Sequence, residues 1–106
     1  MSKFTLTNLD AIIASRTSAD AGTSYTKSLL DAGVARAAKK FGEEAVEAVI
    51  AAMEKDKSAL IKESADVLYH LLVLMRAGGV TLEDVQDELQ QRTAQSGHQE
   101  KASRGT

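Results

Sequence analysis

The sequence predicts an all-α fold, a bundle of four to five helices. Three observations predict it. Proline is absent from all 106 residues, so no segment carries the residue most hostile to a helix interior. Alanine, leucine, glutamate and lysine, all good helix formers, are abundant. Apolar residues recur at helical rather than alternating spacing through most of the chain.

The first helix rests on Leu6, Leu9, Ile12 and Ile13, which share a face, with Thr5 as its cap and an end near Arg16. TSADAGTS, residues 17–24, is small and polar and reads as a loop. YTKSLLDAG, Tyr25 to Gly33, is a short helix stopped by its glycine and capped by Ser24 or Thr23. A long helix follows from about Val34 to Lys55. Phe41, Ala45, Ala48, Val49, Ala52 and Met53 fill one side of it, and Val46 and Ile50 widen the apolar arc beyond half the circumference. One small chain rarely covers so wide an arc, so homodimerisation is expected to complete the bundle. EKDKS, residues 54–58, is a charged turn. Ser58 is the expected cap of a helix from about Ala59 to Ala77, which Gly78 and Gly79 end. Thr81 and Asp84 approximate a capping box for a last helix, whose narrow apolar stripe is Leu82, Val85 and Leu89. Residues 1–93 therefore read as one domain. Residues 94–106, AQSGHQEKASRGT, lack a hydrophobic pattern and read as a disordered tail in which His98 carries no role.

Bulk properties narrow the function. The net charge of −2 argues against a nucleic-acid partner. Without cysteine there are no disulfides and no thiolate metal sites. The N-terminal MSKFTLTNLD lacks the apolar core of a signal peptide, and no apolar run approaches the roughly 18 residues that span a bilayer. A cytoplasmic protein with no membrane partner is expected.

The chemistry lies in two acidic stretches. GEEAVEA, residues 42–48, places Glu43, Glu44 and Glu47 on little more than one turn, and the like charges of Glu43 and Glu47 at i,i+4 cost a few tenths of a kcal/mol. Alone, such a run is usually a solvated face. KESADVLYHLLVLM, residues 62–75, is more telling. Glu63, Asp66 and His70 fall within about one sixth of a turn on a helix that is otherwise almost wholly apolar. Buried acids are paired or bound to a metal. The charged turn makes the two long helices antiparallel neighbours, and Glu47 and Glu63 lie at similar distances from it. Glu44, Glu47, Glu63 and Asp66 can then face one another as an oxygen-only cluster that suits Mg²⁺, with Mn²⁺ as a substitute. The rival reading pairs the acids with Arg36, Lys39, Lys40, Lys62 or Arg76. A di-iron site would need Glu-x-x-His, and Glu63 is followed instead by Asp66.

EExxE followed by ExxD resembles the signature of the MazG-like all-α nucleotide pyrophosphohydrolases. SYTKSLLDAG at 24–33, KKFGEEAVEAVIAA at 39–52 and ESADVLYHLLVLM at 63–75 look like the histidine-biosynthesis branch, the phosphoribosyl-ATP pyrophosphohydrolases. The resemblance spans roughly Leu6 to Arg92. It implies hydrolysis of phosphoribosyl-ATP to phosphoribosyl-AMP and pyrophosphate, Mg²⁺ dependence, and a homodimer or higher helical assembly. It places the metal ligands at Glu44, Glu47, Glu63 and Asp66, and a phosphate contact at Lys40. Glu43 matches the first acid of the signature but points further outward, toward a water or a second ion. The loop SADAGTSYT departs from many relatives, which carry a proline and a shorter turn, so no substrate role is assigned to it.

Water is the expected nucleophile, with Glu43 or Glu47 as the base that takes its proton. Arg36, Lys40 and His70 are the candidate substrate-binding residues. His70 and Tyr69, on an apolar helix, each also read as core residues whose polar atoms find partners. Gly42 interrupts a helix, which is either tolerated or explained by a close approach of another helix or of phosphate. Two other functions fit the pattern: a house-cleaning pyrophosphatase of free nucleoside triphosphates, and a non-enzymatic helical dimerisation module.

Overall fold

The computed structural model describes residues 3–20, 22 and 24–94. Five α-helices and no strand occur among them: α1 (Leu6–Ser15), α2 (Tyr25–Ala32), α3 (Val34–Met53), α4 (Lys57–Ala77) and α5 (Leu82–Thr93), with a single 3-10 turn, Arg16–Ser18, after α1. The expected all-α architecture is what forms. The tail from 95 onward, His98 included, lies outside the described residues.

Capping sets most boundaries. Thr5 and Asn8 form a reciprocal capping box at the start of α1, and Ser24 rather than Thr23 caps α2. Gly33 ends α2 and begins α3 in one residue, at φ 95°, a conformation that favours glycine. α3 stops two residues earlier than expected, because Lys55 turns into the left-handed region at φ 59°. The start of α4 corrects the sequence reading. Asp56, not Ser58, accepts from the Ala59 amide, at 3.0 Å, so the helix begins at Lys57 and Ser58 lies inside its first turn. Thr81 and Asp84 make the expected box on α5, which leaves α4 at 110°.

α3 and α4 pack along each other as a helical hairpin, and α1 and α2 close over one end of it. There Ile13, Leu29, Ala37, Leu72 and Val73 form the core, flanked by Leu9, Tyr69 and Met75. Arg76 ties α4 to Asp10 of α1 at 3.5 Å. Among the described residues, the other end of the hairpin has no such cover. Val49, Met53 and Ile61 are 62, 78 and 70% exposed. No single helix among the described residues is long and apolar enough to cross a membrane.

Candidate active site

The four acids project from the middle of α3 and the first half of α4, between the covered and bare ends of the hairpin. One carboxylate oxygen each of Glu44, Glu63 and Asp66 lies within 4.8 Å of the other two. Glu47 stands beside this triad. Glu47 and Glu63, at similar distances from the turn, line one groove.

The site is poor in positive charge. Among the described residues no lysine or arginine makes an ion pair with Glu44, Glu47, Glu63 or Asp66; Arg76 is engaged by Asp10, and Lys40 by Glu43 at 3.3 Å. Glu63 Oε2 is buried with no hydrogen-bond partner. The consequence is electrostatic. Desolvation raises the Glu44 and Glu63 carboxyls above the usual carboxylate range, and the hydrogen bond and negative charge of Glu47, then the charge of Asp66, raise them further. Such a cluster is satisfied only by protons or by a cation, and its hard oxygen donors fit Mg²⁺ or Mn²⁺. An open groove of about 270 Å³ reaches Glu47 and Glu63 from the side of Ile50 and Glu54, so these two acids are accessible.

The remaining candidates divide. Glu43 is exposed and turned to Lys40, away from the triad; its hydrogen bond, the Tyr25 hydroxyl and its negative charge hold the Lys40 ammonium above its ordinary range. Arg36 is exposed one turn earlier on α3. His70 is buried, and both ring nitrogens have partners: Nδ1 lies 2.9 Å from the Asp66 carbonyl and Nε2 lies 3.3 Å from the Tyr25 hydroxyl. A carbonyl only accepts, so Nδ1 carries the proton, and in the neutral ring Nε2 accepts from Tyr25. Tyr69 likewise finds a partner in the Thr26 hydroxyl. Gly42 is exposed, and a Cβ there would meet nothing within 4 Å, so no helix of this chain explains it. Tyr25 escaped the sequence reading. Its signal, a tyrosine directly after a helix cap, gains meaning only from contacts made 44 and 45 residues further along the chain.

The family model for phosphoribosyl-ATP pyrophosphohydrolase matches residues 6–93. A protein of Azorhizobium caulinodans named phosphoribosyl-ATP pyrophosphatase is 58% identical over 102 residues, 96% of this chain and 94% of the relative. One of the same name from Methylobacterium radiotolerans is 60% identical over 104 residues, 98% of this chain and 97% of the relative. Another, from Allorhizobium ampelinum, is 56% identical over 98% of this chain and the whole relative.

Proposed function

The chain belongs to the phosphoribosyl-ATP pyrophosphohydrolase family, and we propose that it hydrolyses phosphoribosyl-ATP to phosphoribosyl-AMP and pyrophosphate, a step of histidine biosynthesis, in the cytoplasm. Full-length identity to relatives of that name supports the reaction. The observation that supports its chemistry is the unpaired acid cluster, three carboxylates within 4.8 Å and one of them with a buried, partnerless oxygen.

Glu44, Glu63 and Asp66, with Glu47 beside them, are the residues to hold the cation. Mg²⁺ bound there, or Mn²⁺ in its place, would screen the phosphate charge and align the attacking and leaving oxygens. Glu47 adjoins the triad without belonging to it, which suits it to accept the proton of the attacking water. Glu43 is the second candidate base, though its carboxylate is already engaged by Lys40. Lys40, one turn before Glu44, offers an ammonium to the substrate phosphates, and Arg36 extends that positive flank. His70, sealed inside, acts by holding its place between Tyr25 and the Asp66 carbonyl rather than by meeting substrate. The bare end of the α3–α4 hairpin supports a homodimer, with a second copy covering Val49, Met53 and Ile61.

Pyrophosphate release from phosphoribosyl-ATP and from a panel of nucleoside triphosphates, with and without Mg²⁺, is the deciding measurement. Release from phosphoribosyl-ATP alone, and only with the cation, is expected. Release from the panel instead would assign a house-cleaning role. No release and no Mg²⁺ binding by calorimetry would leave a dimerisation module.

A further inference from the structure

Tyr25 is the aromatic residue that neither the acid cluster nor the core accounts for. It is 51% exposed, yet its ring is held by two neighbours, His70 and Tyr69. Its hydroxyl is bonded to His70 Nε2 at 3.3 Å. Tyr69 lies nearly parallel to it, 19° from coplanar with centroids 6.4 Å apart, and the His70 ring meets it edge-on at 6.0 Å and 77°. A rigid ring with one open side is preorganised for stacking, because little freedom is left to lose when a flat partner arrives.

Its location connects it to the chemistry. The Tyr25 hydroxyl holds His70 Nε2 at 3.3 Å, and His70 Nδ1 donates to the Asp66 carbonyl at 2.9 Å. Tyr25 therefore stands two hydrogen bonds from a member of the acid cluster, beside the region where the phosphates of a nucleotide would run. The other aromatic residues are less suited: Phe41 and Tyr69 are partly buried, and Phe4 precedes α1.

We propose that the exposed face of the Tyr25 ring is the platform on which the purine base of the substrate stacks, with the phosphates between Lys40 and the acids. This deepens the proposed function and takes the identity of the base from it. The platform contributes binding of the base, not bond breaking, so its loss should appear in KM.

The chain has two tyrosines and no tryptophan, so its intrinsic emission is tyrosine emission. In a Tyr69→Phe chain it comes from Tyr25 alone, and ATP with Mg²⁺ should quench it. In turnover, Tyr25→Leu should raise KM for phosphoribosyl-ATP by roughly tenfold, as loss of one base–aromatic stack does. Its kcat and its inhibition by pyrophosphate, which has no base, should stay unchanged. Tyr25→Phe keeps the ring but loses the bond to His70, so its KM should rise clearly less than that of Tyr25→Leu. An unchanged KM in Tyr25→Leu, with no quenching by ATP, overturns the proposal. So does a Tyr25→Phe variant as impaired as Tyr25→Leu, or pyrophosphate inhibition weakened as much as KM, since either makes the tyrosine a support for His70 alone. Should the parent release no pyrophosphate from phosphoribosyl-ATP, the reaction assigned above fails, and the ATP emission titration still decides whether Tyr25 stacks a base.

Discussion

At one end of the α3–α4 hairpin Ala37, Leu72 and Val73 are sealed beneath α1 and α2; at the other, Val49, Met53 and Ile61 lie open to solvent. The same two helices supply both ends, α3 rich in alanine throughout and α4 in leucine toward the sealed end. The difference is what covers them. The first end finds its cover within the chain, from Ile13 and Leu29. The second presents apolar side chains in a density that an isolated soluble chain rarely leaves exposed. The acid triad sits at the boundary, where desolvation raises the Glu44 and Glu63 carboxyls and an open groove reaches Glu63. A site made of mutually repelling charges needs both conditions.

The largest effects are expected at that boundary. Glu63→Gln and Asp66→Asn should each lower turnover by roughly a hundredfold or more, the scale on which removal of a single transition-state charge contact is felt. Both should keep the helical circular dichroism of the parent, since neither acid makes an ion pair. In the metal-free protein each should raise the melting temperature, because one member of a repelling set is gone. Unfolding of either variant would mean that the acids hold the hairpin together.

Next come substitutions that set the two ends against each other. Ile13 is 1% exposed in the sealed end, and Ile13→Ala should cost about 2–5 kcal/mol in chemical denaturation. Ile61→Asp at the open end should leave the helices of one chain intact and halve the mass found by sedimentation equilibrium, because a carboxylate is placed where a second copy is expected to pack. A parent that is already monomeric, or an Ile61→Asp chain that keeps the parent's mass, would remove the open end as the interface.

What could be read in advance follows the same division. The helices and the meeting of Glu44, Glu47, Glu63 and Asp66 depend on local spacing and on counting outward from one short turn, and both survive folding. The cap of α4 did not follow, because aspartate and serine cap nearly equally well. Only Lys57 separates Asp56 from Ser58, and only the backbone at Asp56, extended at φ −93° and ψ 97°, decides between them. The link between Tyr25 and His70 was beyond reach for another reason. Their bond joins residues 45 apart, and no periodicity encodes which face of α2 docks on α4.

The pH dependence of the metal-free protein should be smaller and distinctive in sign. Glu44 and Glu63 have folded pKa values raised above the ordinary 4.5, by desolvation first and then by Glu47. The folded chain therefore keeps protons that the unfolded chain has released. The stability this contributes is fully present below pH 4.5 and is lost as pH rises through the raised values. Thermal melts in EDTA should thus fall from pH 4.5 toward neutrality, and Glu63→Gln should flatten that slope. A slope identical in parent and variant would mean that the repulsion is relieved in solution.

The smallest effect contrasts the two capping boxes. Thr5 and Asn8 cap α1 at the sealed end, and Thr81 and Asp84 cap α5, which leaves α4 at 110° and packs lightly on the rest. Losing a threonine cap costs typically about 1 kcal/mol in either place, but it should be felt differently. α1 is tied down by Ile13 and by the Asp10–Arg76 pair, so it unfolds with the core and Thr5→Ala should lower global stability. α5 can fray alone, so Thr81→Ala should speed hydrogen exchange in 82–93 and barely move the global transition. Acid separates the boxes again. The Asp84 carboxyl is lowered below its ordinary 3.8 by the Thr81 amide and hydroxyl, so its contribution is present above that value and is lost as pH falls through the lowered one. Asn8 does not titrate. Protection of α5 should therefore weaken in acid, while the Thr5 box is indifferent; equal acid sensitivity of the two helices would show that α5 is held by its packing and not by its cap.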